Sequence, residues 1–273
     1  MKKTSAIFTA LGAALLFAGC AADEERTGYG TGYLSFAVET APVVADVQTR
    51  AVPAGYVELP ANVLPSVDKF RLALSGTYLD NSGKPTRFDQ TWDPFETYSS
   101  DYPLECLESN YTATFTYGSE TAEGPKAPFF QQTVGNIHLK PDTTTKQPVT
   151  ISLSNSCFRL LLDPSMTEYY ADITLTISTV AGNRFTFTPA NATTQNIIFI
   201  RTGQQLTLEG SATHAASGQK VSFPSQVIND GHPTQAGTMH TITLRADGVG
   251  GVKIGISFDS SFEEVKTDDI YIG

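Results

Sequence analysis

Cys20 is the residue best placed to do chemistry in this chain of 273 residues. It closes the run Leu15-Leu16-Phe17-Ala18-Gly19-Cys20, behind Lys2-Lys3 and an apolar stretch from Ala6 to Ala18. A basic start, a short apolar core and small residues just before a cysteine make a lipoprotein signal peptide. The apolar core falls short of the ~20 residues a membrane span needs. Ala18 and Gly19 leave the backbone open to a peptidase, and the Cys20 thiol then carries the lipid. The alternative is an ordinary cleaved secretory peptide with an incidental cysteine, and Phe17 departs from the leucine commonest at its position.

The remaining reactive side chains form no catalytic pattern. Cys106 and Cys157 could pair in a disulfide outside the cytoplasm, or stand as two separate buried thiols. His138, His214, His232 and His240 have no metal-ligand spacing, so no metal and no cofactor are expected. There is no Gly-x-Ser-x-Gly elbow, no phosphate loop and no marked acid pair, so no enzyme is expected. Gly248-Val249-Gly250-Gly251 is followed by no helix and reads as a hairpin turn. Asp259, Glu263, Glu264, Asp268 and Asp269 could offer oxygens to calcium, but their spacing fits no calcium loop and a solvated acidic edge explains them better. Trp92, the single tryptophan, has Tyr98 and Tyr102 soon after it. On a loop among acids and amides these rings could stack on sugars; the alternative is a Trp covering the core.

Around these residues the chain reads as strands almost throughout, with no helical apolar period held for three turns. Tyr33–Val38, Phe70–Tyr78, Tyr111–Gly118 and Val149–Leu153 alternate in the first half. Phe70, Leu72 and Leu74 point inward. Asn81–Pro85 makes a hairpin turn, and residues 40–66, with Pro42, Pro53, Pro60 and Pro65, read as a long connection. Phe158–Leu162, Ile173–Ile177, Phe185 with Phe187, Ile197–Ile200, Leu206 with Leu208, Ile242 with Leu244, Val252–Phe258 and Val265–Ile272 follow. Strands at this spacing predict an all-β chain of two tandem β-sandwich domains. The expected division is a signal peptide over 1–19, an acidic tether over 20–31, and domains over 32–155 and 156–273. The halves show no obvious internal sequence repeat.

Removing residues 1–19, which hold two lysines and no acid, leaves 254 residues and takes the net charge from −10 to −12. Such a surface repels nucleic acid and anionic lipid, so membrane attachment must come from the lipid. Several acyl chains on one cysteine hold durably where one does not.

Four patterns carry a family resemblance: Gly32-Tyr33-Leu34-Ser35-Phe36, Thr49-Arg50-Ala51, Ser109-Asn110-Tyr111-Thr112-Ala113 running into Tyr117-Gly118, and Val149–Ser156. With them the chain resembles a Bacteroidetes lipoprotein family of unknown function, distantly fimbrillin-like. The resemblance implies transthyretin-like sandwiches on the outer membrane. The acidic run Asp23-Glu24-Glu25 resembles the tag that exports such lipoproteins to the cell exterior; a solvated linker is the alternative. Asp142-Thr143-Thr144 resembles an O-glycosylation acceptor at Thr143, or is a plain polar loop. In fimbrillins a protease cuts after an arginine beyond the first strand, and a strand from the next subunit fills the groove. The resemblance therefore implies cleavage between Arg50 and Ala51, Tyr33–Glu39 as the displaced strand and, by position, Val265–Ile272 as the donor. The expected role is a non-catalytic structural or adhesive subunit, anchor or tip, with like subunits as partners. The alternative is a lipoprotein that captures host or dietary glycans for an uptake system.

Overall fold

Residues 30–47, 55–246, 252–256 and 269–270 are described by a computed structural model. Cys20, Arg50, Ala51, the glycine turn and most of the acidic C-terminal cluster lie outside the described residues, as does most of Val265–Ile272. The elements in chain order are β1 (Thr31–Thr40), β2 (Val43–Val47), β3 (Gly55–Glu58), β4 (Arg71–Leu79), β5 (Pro85–Trp92) and β6 (Leu104–Glu105). Next come β7 (Asn110–Tyr117), β8 (Phe130–Ile137), β9 (Thr144–Ile151), β10 (Ser156–Leu162), the short helix α1 (Pro164–Tyr169), β11 (Tyr170–Thr179) and β12 (Arg184–Phe187). Then follow β13 (Ile198–Ile200), β14 (Leu206–His214), β15 (Lys220–Val227), β16 (Thr238–Ala246), β17 (Val252–Ile256) and β18 (Asp269–Ile270).

The fold is all-β and sandwich-like. A sheet in the order β6-β1-β9 faces one in the order β5-β4-β7-β8. Alternation drives this packing, because every second side chain of a strand points to the same face. Leu34 of β1, Leu72 and Leu74 of β4, Tyr111 and Phe115 of β7, and Val149 and Ile151 of β9 meet in one buried cluster. A second pair of sheets repeats the plan. The order β12-β11-β14-β15 faces the path β13-β10-β16-β17-β18, around a cluster of Phe158, Leu160, Leu175, Ile177, Leu208, Ile242 and Leu244.

The two sandwiches share one topology, although their sequences show no repeat. In the first, the opening strand β1 runs parallel to the closing strand β9, from Tyr33 opposite Thr144 to Thr40 opposite Ile151. In the second, β10 runs parallel to β16, from Cys157 opposite Met239 to Leu162 opposite Leu244. Each opening strand also has a short antiparallel neighbour, β6 or β13. Each facing sheet places its second strand first and its register shift at the start of its third strand. Even the tight crossing recurs. A Cβ on Gly76 of β4 would come 2.7 Å from the Asn110 carbonyl on β7, and one on Gly210 of β14 would come 2.5 Å from the Thr174 carbonyl on β11. Only glycine lets those backbones approach.

The connection over 40–66 differs from the sequence expectation. It carries β2 and β3, which pair with one another. β2 also pairs in parallel with β16, Thr238 opposite Ala45. So the chain leaves β1 in the first sandwich and, after Ala41 and Pro42, enters the sheet of the second. Pro42 and Pro60 sit beside these strands rather than inside them, where they would break a ladder.

The alternation generates a direct test. Leu74 is 0 % exposed. Leu74→Asp would bury a charge without a partner and should lower stability by about 3–5 kcal/mol. Thermal unfolding followed by circular dichroism reads the loss; a melting temperature matching wild type would place the inward face elsewhere.

Candidate functional site

The aromatic residues singled out in the sequence come together at the end of β5. Trp92 pairs opposite Leu72, so it faces the core side of its strand. A single turn over Phe95–Thr97 then brings Tyr98 and Tyr102 back over it. The Trp92 ring lies 4.9 Å from Tyr98 and 5.4 Å from Tyr102, each at 82°. Edge-to-face rings of this kind contribute about 0.5–1.5 kcal/mol beyond their burial. Tyr98 donates its hydroxyl to the Leu34 carbonyl at 2.5 Å and stacks on Phe95. Burial pushes its phenol up to about 12. Tyr98 is therefore turned to the core, fastening this loop to β1. Tyr102 is 37 % exposed, while Trp92 is half-buried against the core. The perpendicular rings form a corner rather than a flat platform, and Tyr102 is its most exposed member.

The cysteine pairing does not form. Cys106 and Cys157 are not joined to one another, and both are buried. Cys106 follows β6, its sulfur 3.7 Å from the Leu104 carbonyl. Cys157 is the second residue of β10, its sulfur 3.6 Å from the Thr238 carbonyl. One sits against the entrance of β1 and the other against β16, so both fill the core as small apolar groups instead of linking it. Burial, with the Glu105 and Asp142 carboxylates adding to it, pushes the Cys106 thiol up to about 11.

Thr143 stands in an exposed turn at the start of β9. Asp142 before it takes a left-handed φ of 52°. The Thr143 hydroxyl donates to the Lys140 carbonyl at 3.1 Å, and the Thr143 carbonyl accepts from the Tyr33 backbone at 2.9 Å. The histidines stay apart. His138 meets the Ser109 carbonyl through Nδ1 at 2.6 Å, while burial pushes His240 down to about 4. Among the described residues no cluster of three or more His, Cys, Asp or Glu could hold a metal ion. No helix among them is long and apolar enough to cross a membrane.

One group of polar residues escaped the sequence reading. Glu123, in the connection from β7 to β8, reaches Thr179, Asn183 and Arg201 of the second sandwich. No local pattern marks it, since its partners lie 56 to 78 positions away.

With this arrangement in view, the chain belongs to the family described as "Domain of unknown function (DUF4493)", which matches residues 30–272. Two solved structures match it along most of their length. One is a fimbrial assembly protein from Parabacteroides distasonis ATCC 8503, at 10% identity, covering 89% of this chain and 99% of that one with a TM-score of 0.40. The other is the fimbrial anchor protein Mfa2 from Porphyromonas gingivalis, at 11% identity, covering 84% and 97% with a TM-score of 0.24. Scores this low describe a loose correspondence and say nothing of what this chain binds. No curated protein matches the chain.

The thiols supply the test here. A thiol whose pKa is raised holds almost no thiolate at neutral pH and does not react. With Cys20 replaced by alanine, native protein should leave Cys106, whose thiol is raised, and Cys157, which is buried, unmodified by Ellman's reagent, and denatured protein should release two equivalents without a reductant. Faster migration on a non-reducing gel, lost on reduction, would instead show the disulfide.

Proposed function

We propose that this chain is a non-catalytic, lipid-anchored surface protein of fimbrillin type, a structural or adhesive subunit, anchor or tip. In this reading Cys20 carries the lipid and residues 20–31 form the tether. Residues 32–155 and 156–273 make two domains facing the cell exterior from the outer membrane. The observation that supports it is the place of β1. It is the middle strand of its sheet, hydrogen-bonded to β6 on one side and β9 on the other. Beyond it, β2 leads toward Arg50. Removing a middle strand leaves two edges facing one slot, and a strand from a like subunit can fill such a slot by backbone pairing.

The second reading, glycan capture, is favoured by the exposed ring of Tyr102 beside Trp92. Its weakness is the 82° angle between those rings, which offers a sugar one ring face and not a row of them. Thr143 remains available to an O-linked sugar in either reading, being exposed.

Two experiments test the main reading. Cys20→Ala should move the protein from the membrane fraction to the soluble one, and unchanged fractionation would remove the lipid anchor. A trace of arginine-specific protease should cut after Arg50 before any other arginine, and ladders or filaments on native gels and by electron microscopy would mark a polymerising subunit. An intact Arg50 bond while other arginines are cut would argue against a fimbrillin-type switch. Clean cutting without assembly fits an anchor or tip, and a glycan array would then separate adhesion from sugar capture.

A further inference from the structure

The junction between the two sandwiches is built around a buried carboxylate. The Glu123 side chain is 0 % exposed. One carboxylate oxygen accepts from the Thr179 hydroxyl at 2.7 Å and from Asn183 Nδ2 at 2.7 Å. The other accepts from the Arg201 backbone N–H at 3.1 Å and from Arg201 Nε at 3.3 Å. All four donors belong to the second sandwich, and the acceptor belongs to the first. Thr179 and Asn183 close the β11–β12 turn, where the Thr179 N–H meets the Asn183 carbonyl at 3.0 Å. Arg201 follows β13, and its carbonyl accepts from the Thr234 hydroxyl at 2.8 Å. The donors are thus held in place by their own framework. Burial alone would raise the Glu123 carboxyl, but these hydrogen bonds outweigh it and hold the group below its ordinary range.

The same connection is tied at its neighbours. Gly124 exchanges two backbone hydrogen bonds with Phe199, at 2.9 and 3.0 Å. Asn155, itself buried, accepts from the Phe129 N–H at 3.2 Å and donates to the Ala127 carbonyl at 3.0 Å. Behind this seam the core of the first sandwich continues into Cys157, Ile197, Phe199 and Met239 of the second.

We propose that Thr179, Asn183 and Arg201 form a carboxylate receptor in the second sandwich, filled by Glu123 of the first, and that its occupancy makes the two sandwiches one rigid, jointly unfolding body. Four directed donors around a desolvated anion fit a carboxylate and no neutral group of its size. Emptying such a site leaves the buried Thr179 hydroxyl without its acceptor and a partly buried guanidinium without its counter-charge, which weakens the junction more than the loss of a fully exposed ion pair would.

Trp92 makes the proposal measurable. It is the single tryptophan and lies in the first sandwich, so its fluorescence follows that sandwich while far-ultraviolet circular dichroism follows both. In the full wild-type chain the two thermal unfolding curves should coincide. In Glu123→Ala they should separate, with the earlier transition lowered by on the order of 10 °C. Sodium acetate should then bring the curves back together, and sodium chloride at equal ionic strength should not. Glu123→Gln, which keeps size and loses charge, should fall between and serves if the alanine variant does not accumulate. Thr179→Val should separate the curves in the same sense. Coincident curves at the wild-type temperature in Glu123→Ala would overturn the coupling, as would curves that already diverge in wild type. Equal effects of acetate and chloride would overturn the receptor.

Discussion

Each sandwich is closed by pairing its first strand with its last, in parallel. That constraint orders everything else in the fold. A parallel pair cannot be joined by a tight turn, so the whole length between its members must fold back across the facing sheet. In the first sandwich that length supplies β4, β5, β7 and β8 to the facing sheet; in the second it supplies β11, β12, β14 and β15. The opening strand takes an interior place in its sheet, flanked by the closing strand and by a short antiparallel piece. Contacts between Tyr33 and Thr144, or Cys157 and Met239, span most of a sandwich, so loop-closure entropy must be met before they form. Chains dominated by such non-local pairs fold slowly for their size.

Much of this was legible in the residues, and the exceptions have physical causes. β1, β4, β7 and β11 announce themselves because one face is buried and the other wetter, and β10 because it is a continuous apolar run buried along most of its length. β5, β8 and β15 do not. Gln131, Gln132, Thr133, Gly135 and Asn136 of β8 show no clear alternation because this strand lies on the edge of its sheet, where one face packs only loosely. β2 and β3 were hidden by the prolines around them. The duplicated topology left no trace because a sandwich asks only for alternation, which many sequences satisfy. Its close crossing is served by Gly76 on the first strand of the facing sheet in one sandwich and by Gly210 on the third strand of the facing sheet in the other, so no alignment of residues would reveal it. The aromatic corner was legible as a group but not as a shape, since ring angles depend on Tyr98 being drawn to the Leu34 carbonyl. The sequence left Cys106 and Cys157 able to pair or to stay apart; their placement, one after β6 and the other in β10 beside Thr238, decides it. Glu123 was invisible because its chemistry is assembled from three distant segments.

The outer strands explain how an all-β molecule keeps its open edges from joining at random. β9 pairs with β1 through its odd-numbered residues, as the bonds from Tyr33 to Thr143 and from Ala41 to Ile151 indicate. Its even-numbered residues therefore turn their backbone outward, among them Lys146 and Pro148. A charge and a missing N–H on that side deprive an incoming strand of a regular ladder. Pro85 opens β5, and Pro224 sits in β15 where its register with β14 shifts. The edges are thus blunted by the same residue type that hid β2 and β3.

The continuous run from Thr31 to Val47 has a mechanical consequence. A pull arriving from the N-terminal side enters β1 along its axis, in line with the whole ladder it shares with β9. Loading of this kind is shear: all the rungs resist together, where a pull at right angles would open them one by one. The run then passes into β2, which is bonded to β16, so tension on the first strand is handed to the second sandwich without crossing the side-chain seam between them. Resistance to such a pull is set by the rate of forced unfolding rather than by equilibrium stability. It would persist as long as the peptide backbone between β1 and the rest of the chain is whole.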